Sequence, residues 1–299
     1  MAINRVSQLL GAVVIIILLP SFVAGQSSDS TDWALSVAGE YRVVPNVTYL
    51  TTNNWDSKLD LYLPRNIAKT TPTLIYIHGG AHVYGSKEES VLRILPYLNL
   101  GWAVVNVEYR LGRVSRAPAA VEDCICAVRW VNENADEYSL NSDLVIVTGA
   151  SAGSHLALST AMLPASTGLD LQCPGEPVKI AAVINWYGLT DVLERLEGPH
   201  SRPGTVAWFG SNPDRRELAQ FVSPIKYVRE GLPPIVTVHG DEDPRVPYTQ
   251  ATRLHEGLEA AGVPNQLITI SGGGHGGFSA DEMSQSFVTI RQFLTDHVF

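Results

Sequence analysis

Positive charge, cysteine and metal-ligand patterns are all scarce in this sequence of 299 residues. The 21 lysines and arginines are outnumbered by 30 aspartates and glutamates, and the resulting net charge of −9 argues against nucleic-acid binding. No histidine pair has metal-ligand spacing with a carboxylate on the same helix face, so we predict neither a metal site nor another cofactor. Internal repeats and long low-complexity segments are also missing, which excludes repeat architectures.

The chain does have enough apolar residues for a large folded domain. Apolar residues make up 45% of the sequence and charged residues 17%, which predicts a sizeable core and argues against global disorder. The length fits one large domain or two smaller ones. Because no proline- or glycine-rich linker divides the chain, we predict one domain over residues 42–299.

The N-terminus has the pattern of a secretory signal peptide. Arg5 supplies a positive charge, residues 9–19 form an apolar run, and small residues end at Gly25. The run is short for a bilayer span, so we predict cleavage after residue 25 and no stable membrane insertion afterwards. The signal peptide, residues 1–25, predicts a secreted or periplasmic protein, with an uncleaved membrane anchor as the alternative. Residues 26–41 are expected to form a flexible lead-in.

The three cysteines allow at most one disulfide. Cys124 and Cys126 lie two residues apart on a predicted helix and therefore point to different faces. An oxidising compartment would permit a bond from Cys173 to either of them, although we favour buried free thiols. Asn46 begins an N-glycosylation sequon, which matters only in a eukaryotic secretory host.

Apolar, β-branched runs alternate with helical patterns along the chain. This alternation is typical of a mostly parallel sheet covered by helices on both faces, so we predict an α/β fold. The predicted strands cover residues 42–50, 58–63, 73–77, 102–107, 143–148, 180–186, 234–239 and 266–270. The predicted helices cover residues 91–100, 118–135, 152–162, 249–261 and 283–297.

One connection between predicted strands is much longer than the others. Residues 188–232 contain several prolines together with Trp208 and Phe209. A connection of this length inside an α/β unit is usually a functional insertion. We therefore predict a small lid of short helices, over residues 188–232, above the functional site.

Ser151 lies in a Gly-x-Ser-x-Gly motif between an apolar run and a helical pattern. A serine on a tight strand-to-helix turn is a nucleophile elbow, in which a strained backbone exposes the hydroxyl. Gly149 and Gly153 leave room for the strand and the helix to approach each other. The alternative is a glycine-rich turn with an ordinary N-capping serine.

A serine hydroxyl needs a base, and the base needs an orienting acid. On this topology the chain order should be serine, acid and histidine. His275 follows the last predicted strand in a glycine-rich loop, and we predict that it is the base. We predict Asp243 as the acid because it precedes a proline-rich turn that would direct it towards His275. Asp241, in the same loop, is the alternative.

Backbone N–H groups are the expected partners of the oxyanion. Ala152 follows the nucleophile directly, and its N–H is one expected donor. Gly79 and Gly80 leave an earlier predicted strand and offer the others. The alternative is a simple Gly-Gly turn without a catalytic role.

Five motifs resemble those of α/β-hydrolase carboxylesterases. They are His78-Gly79-Gly80, Glu108-Tyr109-Arg110-Leu111, Gly149-Ala150-Ser151-Ala152-Gly153, His239-Gly240-Asp241-Glu242-Asp243 and Gly274-His275-Gly276. From about residue 43 onwards the chain is similar to the hormone-sensitive-lipase-like group, and more closely to bifunctional feruloyl and acetyl-xylan esterases. The resemblance implies the α/β-hydrolase fold and serine hydrolase chemistry, and it leaves the substrate open.

The oxyanion loop departs from that family's pattern. Where the family usually has a third glycine and then an aromatic residue, this chain has Ala81 and His82. Alanine is less permissive than glycine. Since members of the family that act on esters of tertiary alcohols depend on the third glycine, the resemblance implies that such esters are less suitable substrates here. Both residues are candidates for substrate binding, and His82 either lines the acyl pocket or replaces the aromatic residue without a function. Glu108 stands where the family commonly has aspartate, and we interpret it as structural.

The sequence thus predicts a secreted carboxylic ester hydrolase that uses a Ser-His-Asp triad and an acyl-enzyme. The expected substrates are short-chain or aromatic esters, as small molecules or linked to a polysaccharide. An amidase-type hydrolase related to kynurenine formamidase is one alternative. A non-catalytic ligand-binding homologue is the other, and the sequence leaves the oligomeric state open.

Overall fold

The computed structural model describes residues 29–66, 71–173 and 175–299, so the predicted signal peptide lies outside the described residues. The strands are β1 (Tyr41–Thr52), β2 (Trp55–Pro64), β3 (Thr73–Ile77), β4 (Ala103–Val107), β5 (Val145–Ala150), β6 (Ile180–Trp186), β7 (Ile235–Gly240) and β8 (Asn265–Ile270). The helices are α1 (Asp29–Glu40), α2 (Val91–Asn99), α3 (Ala119–Glu133), α4 (Ala135–Tyr138), α5 (Ala152–Met162), α6 (Val192–Leu196), α7 (Pro203–Phe209), α8 (Arg215–Phe221), α9 (Thr249–Ala260) and α10 (Ala280–His297). In this part of the chain, no helix has the length and hydropathy that crossing a membrane requires.

The eight strands form one sheet in the order β1-β2-β4-β3-β5-β6-β7-β8. β2 pairs antiparallel with β1 and β4, and every pair from β4 to β8 is parallel. The mostly parallel sheet of the predicted α/β-hydrolase fold is confirmed. The carboxyl ends of parallel strands meet at one edge, so the loops that follow β3, β5, β7 and β8 come together there.

Side chains of the central strands alternate between two apolar cores. Ile75 and Ile77 of β3 face a core that α3, α5 and α9 cover. Leu74 and Tyr76 face the opposite core, which α2 and α10 cover. All five residues of β3 are buried, as expected for a parallel strand with helices on both faces.

Several element bounds differ from the sequence prediction. β3, α5 and β6 have the predicted bounds. Residues 29–40 form α1, so our expectation of a flexible lead-in is wrong there. α10 starts three residues earlier than predicted, because Ser279 and Glu282 form a capping box at its start.

The long connection after β6 contains α6, α7 and α8, each of seven residues or fewer. This agrees with the prediction of short helices over residues 188–232, which we call the lid. Trp208 and Phe209 at the end of α7 are fully buried. These two aromatic side chains attach the lid to the core.

A disulfide joins Cys126 of α3 to Cys173, 47 residues further along the chain. Our preference for free thiols is therefore wrong for these two cysteines, whereas Cys124 is free and buried. Closing a loop of this length lowers the conformational entropy of the unfolded chain, which stabilises the fold by about 2–4 kcal/mol.

Candidate active site

Ser151 occupies the sharp turn between β5 and α5. Its backbone has φ 56° and ψ −118°, a conformation that few residues other than glycine adopt. The strand and the helix are so close that a Cβ on Gly153 would lie 2.1 Å from the Ile77 carbonyl oxygen. The Ser151 N–H donates to the Trp186 carbonyl oxygen at 2.9 Å. These contacts hold the backbone of the predicted nucleophile in place.

His275 lies beside Ser151, in the loop that follows β8. Its Nε2 is 2.8 Å from Ser151 Oγ, and its Nδ1 is 2.6 Å from Asp243 Oδ2. The ionised carboxylate only accepts, so Nδ1 carries a proton and Nε2 is free to accept the serine hydroxyl proton. The ring of Tyr187 packs edge-on against the imidazole, with 4.8 Å between centroids. The structure thus brings Ser151, His275 and Asp243 together in one chain of hydrogen bonds.

Asp243 is buried in the loop after β7. Its Oδ1 accepts the backbone N–H groups of Arg245 at 2.7 Å and Val246 at 2.9 Å. Burial alone would raise the pKa of this carboxyl, but hydrogen bonds from His239, His275 and Val246 outweigh it and hold the pKa well below its usual value. The carboxylate is therefore ionised near neutral pH. The alternative acid, Asp241, is exposed and accepts the Gly272 N–H instead.

His239 is a further contact of the acid that the sequence reasoning missed. Its Nε2 lies 3.0 Å from the Val246 carbonyl oxygen and 3.3 Å from Asp243 Oδ2. The ring is fully buried at the end of β7. The signal was present in the sequence, because His239 precedes Asp243 by four residues in one of the resembling motifs.

The oxyanion loop follows β3 and borders Ser151. Within the described chain, the N–H groups of Gly79 and Gly80 have no hydrogen-bond acceptor, and both residues line a cavity that contains Ser151. The N–H of Ala152 belongs to the first turn of α5, where intrahelical acceptors are lacking. The three predicted donors therefore remain available to a substrate oxygen.

His78 supports this loop in a way that the sequence did not reveal. Its Nδ1–H donates to the Gly79 carbonyl oxygen at 2.7 Å, which fixes the plane of the peptide that carries the Gly80 N–H. The imidazole stacks on Tyr109 with 4.3 Å between ring centroids. Burial lowers the pKa of His78 to about 4, so the ring is neutral.

Ala81 and His82 lie at the boundary between the loop and the lid. Both have positive φ, 52° and 63°, and both border the cavity. The His82 imidazole is nevertheless fully buried, since it stacks on Trp208 at 3.9 Å and its Nε2 bonds to His155 Nδ1 at 2.9 Å. We therefore assign this side chain to packing beneath the lid, and Ala81 remains the candidate for substrate contact.

The buried pair His82 and His155 is neutral. The Val222 carbonyl oxygen lies 2.7 Å from His155 Nε2, so Nε2 carries the proton and Nδ1 accepts from His82. Burial lowers the pKa of His155 to about 4. Burial, and then the neighbouring His155, hold the pKa of His82 well below its usual value.

Glu108 contacts the protein rather than the cavity. Its carboxylate accepts the backbone N–H of Lys87 at 2.8 Å and lies 3.7 Å from His78 Nε2. Burial raises its pKa to about 7. These contacts agree with our interpretation of Glu108 as structural.

The cavity above Ser151 has a volume of about 940 Å³ and lies between the sheet edge and the lid. A second cavity of about 300 Å³ also has Tyr187 in its lining, together with other aromatic side chains such as Trp186 and Phe287. Over the three described ranges, no group of three metal-ligating side chains comes together. The larger cavity has both Ser151 and His275 in its lining, and its volume is sufficient for a small ester.

Comparisons with known proteins identify esterases of similar sequence. The chain is 29% identical over 217 residues to esterase LipQ of Mycobacterium tuberculosis, which covers 69% of this chain and 51% of LipQ. It is 27% identical over 220 residues to an acetyl esterase of Salmonella paratyphi B, which covers 67% of this chain and 62% of that protein. The chain thus spans about half to three-fifths of these curated relatives.

Solved structures of esterases have the same fold. Esterase 2 of Thermogutta terrifontis superposes with a TM-score of 0.69 at 26% identity, over 86% of this chain and 92% of that one. A truncated carbohydrate esterase from gut microbiota gives a TM-score of 0.70 at 25% identity, over 85% and 97%. The sequence model of the BD-FAE family matches residues 59–258, two thirds of the chain, and the protein therefore belongs to the BD-FAE family.

Proposed function

We propose that this protein is a serine carboxylic ester hydrolase. The observation that carries the proposal is the continuous hydrogen-bonded chain from Ser151 through His275 to Asp243, next to unoccupied N–H donors. Its esterase relatives support the reaction class.

In the first half of the reaction, His275 Nε2 removes the proton from Ser151 Oγ as the oxygen attacks the ester carbonyl carbon. The negative charge that develops on the carbonyl oxygen is stabilised by the N–H groups of Ala152, Gly79 and Gly80. Asp243 stabilises the imidazolium that forms. The bond to the alcohol oxygen then breaks, and His275 gives its proton to that oxygen.

In the second half, water replaces the alcohol. His275 Nε2 takes a proton from the water as its oxygen attacks the acyl carbon. The bond to Ser151 Oγ breaks, His275 returns the proton to that oxygen, and the carboxylic acid leaves. Serine, imidazole and carboxylate are then in their initial states.

The central test is Ser151→Ala with p-nitrophenyl acetate as substrate. We expect turnover to fall by about 10⁴-fold or more, with an unchanged circular dichroism spectrum. Near-normal turnover would contradict the proposal. Ser154→Ala is not a suitable control, because its hydroxyl bonds both β5 and β6. The exposed Ser284 of α10 offers a matched one.

A fluorophosphonate probe tests the nucleophile independently of the substrate. One solved relative, esterase 2 of Thermogutta terrifontis, is described as phosphonylated by cyclosarin. We expect covalent labelling at Ser151 in the intact protein. A protein that binds esters but takes no label would instead be a ligand-binding homologue.

Within this class we propose short-chain or aromatic esters, free or attached to a polysaccharide. The relatives support this range, since one is named an acetyl esterase and another a carbohydrate esterase. A panel of acyl chain lengths with acetyl-xylan and methyl ferulate measures the preference. Faster turnover of N-formylkynurenine than of every ester would favour the amidase alternative.

We also propose that the protein is exported. The support is the signal-peptide pattern of residues 1–25 together with the Cys126–Cys173 disulfide, since such bonds persist in oxidising compartments. Mass spectrometry of protein from the medium or periplasm should give an N-terminus at Gln26. Recovery of the uncleaved chain in the membrane fraction would support the anchor instead.

A further inference from the structure

Four arginines line the cavity that contains Ser151. Arg93 lies on α2, Arg195 on α6, Arg202 just before α7, and Arg245 in the loop after β7. The cavity has one acidic lining residue, Glu89. Four segments of the chain thus contribute the same charge to the lining of one cavity.

None of these arginines forms a salt bridge with a carboxylate in the described ranges. Arg93 donates to the Tyr187 hydroxyl at 3.1 Å. Arg202 donates to the Pro244 carbonyl oxygen. Other arginines of the chain do have acidic partners, as Arg110 has in Asp123 at 2.7 Å. In the described ranges, no carboxylate therefore pairs directly with these four guanidinium groups, of which those of Arg93, Arg202 and Arg245 are solvent-exposed.

Arg195 is the most constrained of the four. Its side chain is 2% exposed and donates only to the carbonyl oxygens of His200 and Arg245. Burial, and then the neighbouring Arg202, lower its pKa to about 10, so the guanidinium stays charged at neutral pH. The nearby carboxylate of Glu194 is bound to Arg253 instead. The carboxylates of Glu194 and Asp243 attract this charge without bonding to it, and they offset the effect of burial only in part. A buried charge with no direct ionic partner is stabilised when a ligand supplies one.

This local charge opposes that of the whole molecule. The chain has a net charge of −9, whereas the cavity wall has four arginines against one glutamate. A negative protein repels anions at long range, so the concentration of positive charge in one cavity acts on a ligand that is already inside it.

We propose that the natural substrate is an ester that carries a carboxylate, and that Arg195, Arg202 and Arg245 recognise this group. The inference rests on the proposed ester hydrolase function and names its substrate class. A guanidinium matches a carboxylate with two parallel hydrogen bonds, which a neutral ester lacks. A cavity of about 940 Å³ has room for an acidic sugar or a dicarboxylic half-ester.

Two matched pairs of esters test the proposal and locate the charge. On the acyl side, monoethyl glutarate is compared with ethyl glutaramate, its primary amide. On the alcohol side, 4-acetoxybenzoate is compared with 4-acetoxybenzamide. We expect kcat/KM to favour the carboxylate in at least one pair by about tenfold at low ionic strength, and less at high salt.

Charge-removing variants connect that preference to the cavity. Arg202→Gln and Arg245→Gln should each lower the carboxylate-to-amide ratio by about threefold, and the double variant should bring it close to one. Arg202→Lys should retain part of the preference. Arg291→Gln on the exposed face of α10 removes the same charge outside the cavity and should leave the ratio unchanged.

The outcomes separate the substrate class from the reaction. Suppose that p-nitrophenyl acetate is hydrolysed, but in both pairs the ester with the primary amide is hydrolysed as fast as the ester with the carboxylate. The inference about the substrate is then overturned, and the proposed ester hydrolase function is unaffected. The same holds if the ratio is unchanged in the double variant. If no ester is hydrolysed and Ser151 takes no phosphonate label, the proposed function fails and the inference fails with it.

Discussion

The two walls of the cavity are built in different ways. On the sheet edge, a Cβ on Gly79 would lie 2.6 Å from the Ala150 carbonyl oxygen of β5, and the Ser151 N–H bonds to Trp186 of β6. On the lid, helices of five to seven residues carry long side chains that bond to carbonyl oxygens of the chain. The sheet edge is therefore suited to fixing reaction geometry, and the lid to selecting what reaches it.

Trp208 connects the two walls. It is fully buried at the end of α7 and stacks on His82, which bonds in turn to His155 of α5. A neutral histidine pair thus connects the lid to α5, the helix that follows Ser151. A substitution in this histidine pair should therefore disturb the structure of both walls. A substitution of a cavity arginine should disturb only the wall that carries it.

The largest expected effect comes from the acid on the sheet edge. Asp243→Asn leaves a side chain of the same size but favours the wrong tautomer of His275, so kcat for p-nitrophenyl acetate should fall by about 10⁴-fold. Asp241→Asn is the matched control in the same exposed loop, and it should retain most of the activity. A greater loss in Asp241→Asn would reassign the acid.

A smaller effect should distinguish the rigidity of the two walls. In Gly153→Ala the new Cβ would lie 2.1 Å from a backbone oxygen of β3, whereas in Gly204→Ala it would lie 2.7 Å from the Ala81 side chain. The first contact is with the backbone of a central strand that is paired on both sides, whereas the second is with a side chain of the loop after β3. We expect losses in the free energy of unfolding of about 3 and 1 kcal/mol respectively, measured by urea denaturation. Equal losses of unfolding free energy in the two variants would contradict the proposed difference in rigidity between the walls.

The smallest effect concerns the pH dependence of stability. A histidine with a pKa near 4 in the folded state and 6.5 in the unfolded state costs nothing above pH 6.5, where both states are neutral. Below that pH the unfolded chain gains a proton first, so His155 alone should lower the free energy of unfolding by about 2 kcal/mol between pH 7 and pH 5.

Urea denaturation at pH 7, 6 and 5 measures this loss of unfolding free energy. NMR of the His155 ring, which reports its protonation state, shows whether His155 causes the loss. The ring should remain neutral at pH 5 in the folded protein. Protonation of that ring near pH 6.5 would show that water reaches the histidine pair in spite of the packing of Trp208 against it.

Much of the sheet edge was predictable because its signals are local. The strands β3 and β6 are mostly apolar runs, and the elbow at Ser151 combines a strand, a turn and a helix within a few residues. Chain order then predicted where an acid and a base would follow. Asp243 and His275 lie where that order placed them, and the structure brings them to Ser151.

The lid wall was not predictable in the same way, because its contacts join distant segments. Nothing near Arg195 of the lid in the sequence indicates that it shares a cavity with Arg245 of the sheet edge. The pairing of Cys126 with Cys173 depends equally on tertiary structure, which spacing does not reveal. For His82 the sequence leaves open whether it lines the acyl pocket or merely replaces an aromatic residue, and its stacking on Trp208 follows only from the position of α7.

The disulfide has a consequence for any experiment that cuts the chain. Residues 126–173 form a closed covalent ring, and Ser151 lies within it. A single proteolytic cut inside this ring leaves the protein as one molecule, with its mass increased only by one water. Peptide mapping of a labelled Ser151 therefore requires reduction first, and a nicked but unreduced enzyme would pass through size separation unnoticed.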